Sequence, residues 1–384
     1  MMRLVVDGVF FQLNSTGIAR VWETILALLS PREDLEIFML DRGGAPAIDG
    51  VTNIPFPSYK AASSAADSAL IQKMCDHLGA DVFTSTYYTT PLTTPMVLMV
   101  YDMIPEIFDF DLSPRFWMEK ETAIAYAQRY LCISHSTRAD LLKFYPEIQP
   151  DSIKISHCGI DTQAFDQRPP NEVADFRARH GLKRPYFLFV GSRVQTKAYK
   201  NSDLFFSALR QMNSVDFDIF CVGGEDRIEP AVLNSLPPGV QAQRVSLSDY
   251  DLSLAYAGAA ALVYPSLYEG FGMPVIEAMA SGCPVITTQR GSLVEAAGDA
   301  AHLIEGTSVT EMAEALTRLQ DPAVQSDLRA RGLAHARQFR WDPMAACLAT
   351  QLTEAVAAAQ TPESRNFFAQ WARLRHLQAD VDYF

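Results

Sequence analysis

Residues 260–277 read Ala-Ala-Leu-Val-Tyr-Pro-Ser-Leu-Tyr-Glu-Gly-Phe-Gly-Met-Pro-Val-Ile-Glu, and they hold a strand, a turn and a helix start in one stretch. The apolar run ends at Pro265, which cannot donate to a continuing ladder, so the spacing predicts a buried strand over Ala260–Tyr264. Gly270 and Gly272 then make a turn, and Pro274 suits the first position of a helix, where its missing N–H costs nothing. Glu269 falls in the loop before that helix and Glu277 in its first turn. The backbone N–H groups of Gly270, Phe271, Gly272 and Met273 lie at the positive end of the helix dipole, where an anion or sugar hydroxyls can be held. Glu277 can equally serve the dipole, and Glu269 can be a solvated loop carboxylate.

The same strand-to-helix grammar recurs on both sides of this stretch. Towards the N-terminus it appears at Arg3–Gly8 before a helix over Ile18–Leu29, then at Leu35–Leu40, Asp81–Thr84, Met96–Tyr101, Tyr130–Ile133 and Ile153–Ser156. Between Asp166 and Pro185 the chain turns polar, with Pro169-Pro170. A second series begins at Tyr186-Phe-Leu-Phe-Val-Gly and continues through Phe217–Gly224 and Cys283–Thr287. Alternating strands and helices imply parallel sheets covered by helices. The predicted organisation is a first α/β domain over 1–165, a second over 183–361, and a terminal helix over about 362–384 that docks back on the first. Ligands of such sheets bind beyond the carboxyl ends of the strands.

Composition limits the function. The chain has 384 residues, 48% of them hydrophobic, which suffices for two large cores without covalent staples. Its six cysteines are scattered and form no C-x-x-C, as expected of buried thiols in a reducing compartment. The opening segment is interrupted by Asp7 and Gly8 too soon for a signal peptide, and no apolar run has the length of a membrane span. A net charge of −13 argues against broad nonspecific contact with nucleic acid.

Cations join the helix start from the stretch Phe187–Leu204, where a strand and a glycine turn precede Arg193, Lys197 and Lys200. On one sheet edge with Gly270–Met273 they can converge on a diphosphate. An exposed basic loop is the plainer reading of the same residues. Asp109-Phe-Asp111 and Asp216-Phe-Asp218 are D-x-D pairs of the kind that arise by chance in an acidic chain, and no histidine pair has a ligand spacing, so no metal site is expected. Gly223-Gly224 reads as a strand-end turn, and Trp117, Trp341 and Trp371 read as core.

Taken together, Gly191-Ser-Arg193, Tyr199-Lys-Asn201 and Tyr264–Ile286 resemble the GT4 family of retaining glycosyltransferases with the GT-B fold. Thr16–Arg20, Asp81–Ser85, Tyr101–Pro105, Ile133–Arg138, His157–Asp161 and Phe339–Trp341 match the family's blocks in order, so the resemblance covers roughly residues 1–350. It implies two Rossmann-like domains whose parallel sheets face an interdomain cleft, the first on the acceptor side and the second binding a nucleotide-sugar. Carried over residue by residue, it implies Glu277 on the ribose and Glu269 on the donor sugar with the amides of Phe271, Gly272 and Met273. Arg193 and Lys200 fall on the diphosphate, with Lys197 as the competing lysine, and Gly17 falls in the loop that approaches it. Val245, within the stretch Arg244–Leu247, falls where the base is held by backbone. Tyr101 stands where the family commonly has histidine, on the acceptor side, and cannot take up a proton near neutral pH. Asp102 beside it is the alternative base.

The activity so implied is transfer of a hexose, mannose or a relative, from a nucleotide-diphospho-sugar to a glycan or lipid-linked acceptor, without metal or cofactor. The implied setting is bacterial surface-polysaccharide synthesis in the cytoplasm, with room for a peripheral membrane contact and no nucleic-acid partner. No oligomeric state follows from it. The rival expectations are a GT-B epimerase or synthase and a non-catalytic nucleotide-binding homologue.

Overall fold

The computed structural model of the protein describes residues 1–13, 17–60, 64–193, 199–212 and 215–382. The chain divides into two compact units, Met1–Cys158 with Trp341–Phe384, and Gly159–Arg340. Each is built on one sheet.

In the first unit seven strands, β1 (Met2–Asp7), β2 (Leu35–Asp41), β3 (Val51–Pro55), β4 (Val82–Ser85), β5 (Met96–Val100), β6 (Arg129–Cys132) and β7 (Ile153–Ile155), lie in the order β3-β2-β1-β4-β5-β6-β7. Every pairing is parallel, with Leu4 opposite Ile37 on one side and Val82 on the other. Central strands of such a sheet are covered on both faces, and so β5 reads as the unbroken apolar run Met-Val-Leu-Met-Val, buried throughout. Strand β3, an edge strand with the pattern Val-Thr-Asn-Ile-Pro, has no buried residue and carries no such signal.

The helix Trp341–Ala358 packs on β4 to β7 and on the helix Gly17–Leu29, within the first unit. Its sequence position had placed it with the second. The side chain of Gln351 shows the reason: it is buried and donates to the carbonyls of Tyr130 (2.6 Å) and Ser152 (3.1 Å) at the β6–β7 edge of this sheet. The helix Pro362–Asp382 follows in the same unit, where Phe367, Phe368 and Trp371 stack around the Tyr126 ring. The boundary also moves forward. The polar stretch after Asp166 contains the helix Pro170–Arg179, which buries Phe176 against Phe220 in the second unit.

The second unit has six strands, β8 (Tyr186–Val190), β9 (Asp218–Val222), β10 (Ala242–Val245), β11 (Ala261–Tyr264), β12 (Val285–Thr288) and β13 (His302–Ile304), in the order β10-β9-β8-β11-β12-β13. All pair in parallel. Aromatic residues fill its core, with Phe187, Phe189, Phe205 and Phe217 almost wholly buried. The chain winds outward in opposite senses from β8 and β11, so the loops after these adjacent strands separate. That leaves a crevice at the carboxyl edge between them, where open sheets of this kind bind ligands.

Candidate functional site

Both loops at this switch point carry the expected residues. After β11 the chain runs through Glu269 to Gly272, which caps the helix Met273–Ala280 with φ of 109°. A side chain at Gly272 would be strained by that conformation and would also put Cβ 2.9 Å from Leu293 Cδ2. Pro274 is the second helical residue rather than the first. Glu277 is therefore the fifth, just past the first turn, so helix-end electrostatics is a weak account of it. It is nonetheless 5% exposed, in the helix that starts at the ligand edge. Phe271 turns inward against the Phe339 ring.

Glu269 is 8% exposed and lies in a three-membered network. Lys200 Nζ donates to its Oε1 (2.7 Å) and to the Tyr264 hydroxyl (3.2 Å), and the Tyr264 hydroxyl donates to the same Oε1 (2.8 Å). Among the described residues, no hydrogen bond reaches Glu269 Oε2. Burial, and then the charge of Glu269, push the Tyr264 phenol well above its ordinary range, so it stays protonated and acts as a donor. The Ser292 hydroxyl donates to the Glu269 carbonyl (2.6 Å) and fixes its backbone.

Lys200 is held in place by its neighbours. Asn201, in the left-handed conformation at φ of 54°, gives no side-chain cap to the helix Ser202–Gln211. It donates instead to the carbonyls of Pro265 (3.1 Å) and Gly306 (2.8 Å), while Leu267 N–H donates to the Tyr199 carbonyl (2.7 Å). The two loops are thus tied together on either side of the Lys200–Glu269 pair. Lys197 lies outside the described residues.

Arg193 sits at the end of β8 and faces inward. Its guanidinium donates to the carbonyls of Gly191 (3.1 Å), Gly223 (3.0 Å) and Glu225 (2.9 Å), and its side chain is only 7% exposed. As it stands it braces two loops. Val245, on the edge strand β10, accepts from Gly223 N–H through its carbonyl (3.0 Å).

Three of the expected residues belong to the first unit. Gly17 opens the helix Gly17–Leu29 with nothing within 4 Å of a Cβ built there. Tyr101 is 9% exposed; burial, then the Cys158 thiol, push its phenol up, and the Trp22 indole opposes this. Asp102 accepts Ile104 N–H (2.9 Å), while its carbonyl accepts from Lys120 (3.1 Å). Of the D-x-D pairs, Asp216 and Asp218 both clasp Arg184 at 3.2 Å, an ordinary ion pair.

Sequence reading missed Tyr264, Ser292 and Glu225. Tyr264 had a signal, as a polar atom at the last position of an apolar strand. The others had none. Replacing Tyr264 by phenylalanine removes one of the two donors on Glu269 Oε1 and keeps the ring. Folding stability is expected to fall by about 1.5–3 kcal/mol, the worth of one hydrogen bond to a charged group. Urea unfolding of the variant beside the wild type checks this, and an unchanged midpoint would exclude a structural role for the hydroxyl.

Residues 184–321 match the family described as Glycosyl transferases group 1. The O-antigen chain mannosyltransferase B of Escherichia coli is 28% identical over 236 residues, 59% of this chain and 61% of that protein. The D-inositol 3-phosphate glycosyltransferase 1 of Catenulispora acidiphila is 33% identical over 240 residues, 58% of this chain and 56% of that protein. The alignments therefore span less than two thirds of those relatives. Among solved structures, sucrose-phosphate synthase from Thermosynechococcus elongatus superposes with a TM-score of 0.73 at 17% identity, covering 93% of this chain and all (100%) of that one. An Anabaena HepE structure in complex with UDP-glucose does so at 0.72 and 15% identity, covering 92% of this chain and 100% of that one. These two likenesses are of fold.

Proposed function

We propose that this chain, GT-B in fold, is a group 1 glycosyltransferase that moves a hexose, mannose or a close relative, from a nucleotide-diphospho-sugar to a glycan or lipid-linked acceptor with retention. The observation that carries this reading is the buried Lys200–Glu269–Tyr264 network beside the helix Met273–Ala280 at the switch point of the second sheet. One carboxylate oxygen is fixed by two donors, which leaves the other to accept from a sugar hydroxyl. The ammonium of Lys200 and the positive end of the helix dipole suit an anion, and together they would stabilise the charge that develops on a departing diphosphate. Glu277, one turn into the helix, is suited to the ribose hydroxyls.

In the reaction so drawn, the bond from the sugar's anomeric carbon to the diphosphate oxygen breaks and the acceptor oxygen bonds from the same face. The acceptor's proton passes to the leaving phosphate, with Asp102 the alternative base. Lys200 and the helix end supply the charge that a metal supplies elsewhere, so none is required. The mannosyltransferase among the relatives supports the hexose and a surface-polysaccharide setting. No helix among the described residues is long and apolar enough to cross a membrane.

The test is thermal-shift screening against GDP-, UDP-, ADP- and dTDP-sugars, followed by transfer assays with the stabilising donor. Ligand at about 100 times Kd should add about 2.7 kcal/mol to native stability. Release of free nucleoside diphosphate only with acceptor present, and an NMR product of unchanged anomeric configuration, are the expected results. Stabilisation by none of the donors, or acceptor-independent release, would overturn the reading.

A further inference from the structure

The turn Gly191–Arg193 that follows β8 is held by a residue with no place in the reaction described above. Glu225, just beyond β9, turns its carboxylate onto that loop. Its Oε1 accepts from the Ser192 hydroxyl (2.5 Å) and its Oε2 from the Arg193 main-chain N–H (2.7 Å). The guanidinium of Arg193 returns the contact, donating to the Glu225 carbonyl (2.9 Å), with a guanidinium nitrogen 3.7 Å from Oε2. The backbones are pressed together as well. Gly191 N–H donates to the Val222 carbonyl (3.0 Å), and a Cβ at Gly224 would lie 2.4 Å from the Gly191 oxygen. Partial burial favours the neutral acid, but the bonds from Ser192 and Arg193 outweigh it and hold the carboxyl below its usual range.

The clasp lies upstream of the donor residues. Ser202, the first residue of the next helix, donates from its hydroxyl to the Arg193 carbonyl (3.2 Å). Lys200, two residues before it, pairs with Glu269. The path from Glu225 to Lys200 is therefore one of direct contacts: carboxylate to the Ser192–Arg193 backbone, Arg193 carbonyl to Ser202, and chain to Lys200. An acceptor at Glu225 fixes where Ser192 and Arg193 stand and, through the Arg193 carbonyl, where the start of the helix beside Lys200 stands.

We propose that Glu225 is a positioning residue for the donor diphosphate, acting through the Ser192–Arg193 main chain and the Arg193 guanidinium without touching the donor. This rests on the nucleotide-sugar reading of the site. Alternatives for the same residue are a simple loop brace with no effect on the donor, and a charge partner whose role is only to neutralise Arg193.

The experiment compares wild type with Glu225→Ala, Glu225→Gln and Ser192→Ala in the full chain, using the nucleotide-sugar that wild type turns over. If wild type turns over none, the function reading fails before Glu225 is tested. Glu225→Ala is expected to raise the donor KM and the inhibition constant of the free nucleoside diphosphate together by about tenfold or more, since small misplacements at such sites cost that much. The acceptor KM should stay unchanged. Glu225→Gln keeps an amide oxygen for the Arg193 N–H and should recover to within about threefold of wild type. Ser192→Ala, which leaves the second bond intact, should raise the donor KM by about threefold, and it carries the test should Glu225→Ala fail to fold. Donor constants within twofold of wild type in Glu225→Ala, or in Ser192→Ala should Glu225→Ala fail to fold, would overturn the proposal. So would a rise in acceptor KM equal to that of the donor. A glutamine variant as impaired as the alanine one would also overturn it, because the charge and not the acceptor geometry would then be what the loop requires.

Discussion

Glu269→Ala is expected to lower kcat/KM for the donor by about 1,000-fold while leaving binding of the free nucleoside diphosphate within a few-fold of wild type. The split follows from the geometry. Glu269 Oε1 is committed to Lys200 and Tyr264, and its remaining oxygen is the group available to a sugar hydroxyl. Removing it takes away a contact to the sugar, not to the nucleotide. The substitution also takes from the Tyr264 hydroxyl the carboxylate it donates to, at a stability cost of about 1–3 kcal/mol for a buried hydroxyl. A Tm measured beside the kinetics separates that cost from the catalytic one. Near-normal turnover would sink the assignment of Glu269 to the sugar, and loss of nucleoside diphosphate affinity of the same size would move it to the nucleotide.

Lys200→Met should act on the other side of the bond being broken. The methionine keeps most of the length and apolar stem and loses the charge. Without the ammonium, the developing negative charge on the diphosphate loses a donor in a partly desolvated site, and kcat is expected to fall about 100- to 1,000-fold. Unlike Glu269→Ala, it should also weaken the free nucleoside diphosphate, because the phosphates are the group it would meet. Lys200→Arg is not expected to rescue it. The Nζ sits 2.7 Å from Glu269 and 3.2 Å from the Tyr264 oxygen, and a planar guanidinium does not fit that point. Wild-type affinity for nucleoside diphosphate in Lys200→Met would return the phosphate role to Lys197, the other lysine of the loop.

Much of the architecture was legible along the chain. Apolar runs such as Met96–Val100 and Tyr186–Val190 are bounded by turns and alternate with helical spacing, and that pattern leaves little besides two parallel sheets. Strand β3 escaped because an edge strand without buried residues has no apolar signature. The helix Trp341–Ala358 escaped differently: its own pattern was clear, but which sheet it covers is decided by partners about 200 residues away, such as the carbonyls that meet Gln351. The site divides along the same line. The spacing of Glu269, Pro274 and Glu277 set a loop carboxylate before a helix and a second one inside it.

By itself, then, the sequence determined the strand–turn–helix units, the carboxyl edge where loops gather, and the chemical types gathered there. These depend on backbone constraints and periodicities that act over a few residues. Only the tertiary structure decided that Arg193 turns inward to three carbonyls, that Lys200 spans to Glu269 and Tyr264, and that Glu225 holds Ser192 and the Arg193 main chain. Each of those is a hydrogen bond between residues 30 or more positions apart, except the short ones within a single loop. Spacing along a chain does not encode which distant donor will be brought to within 3 Å of which acceptor; packing of the two sheets' own strands and helices does.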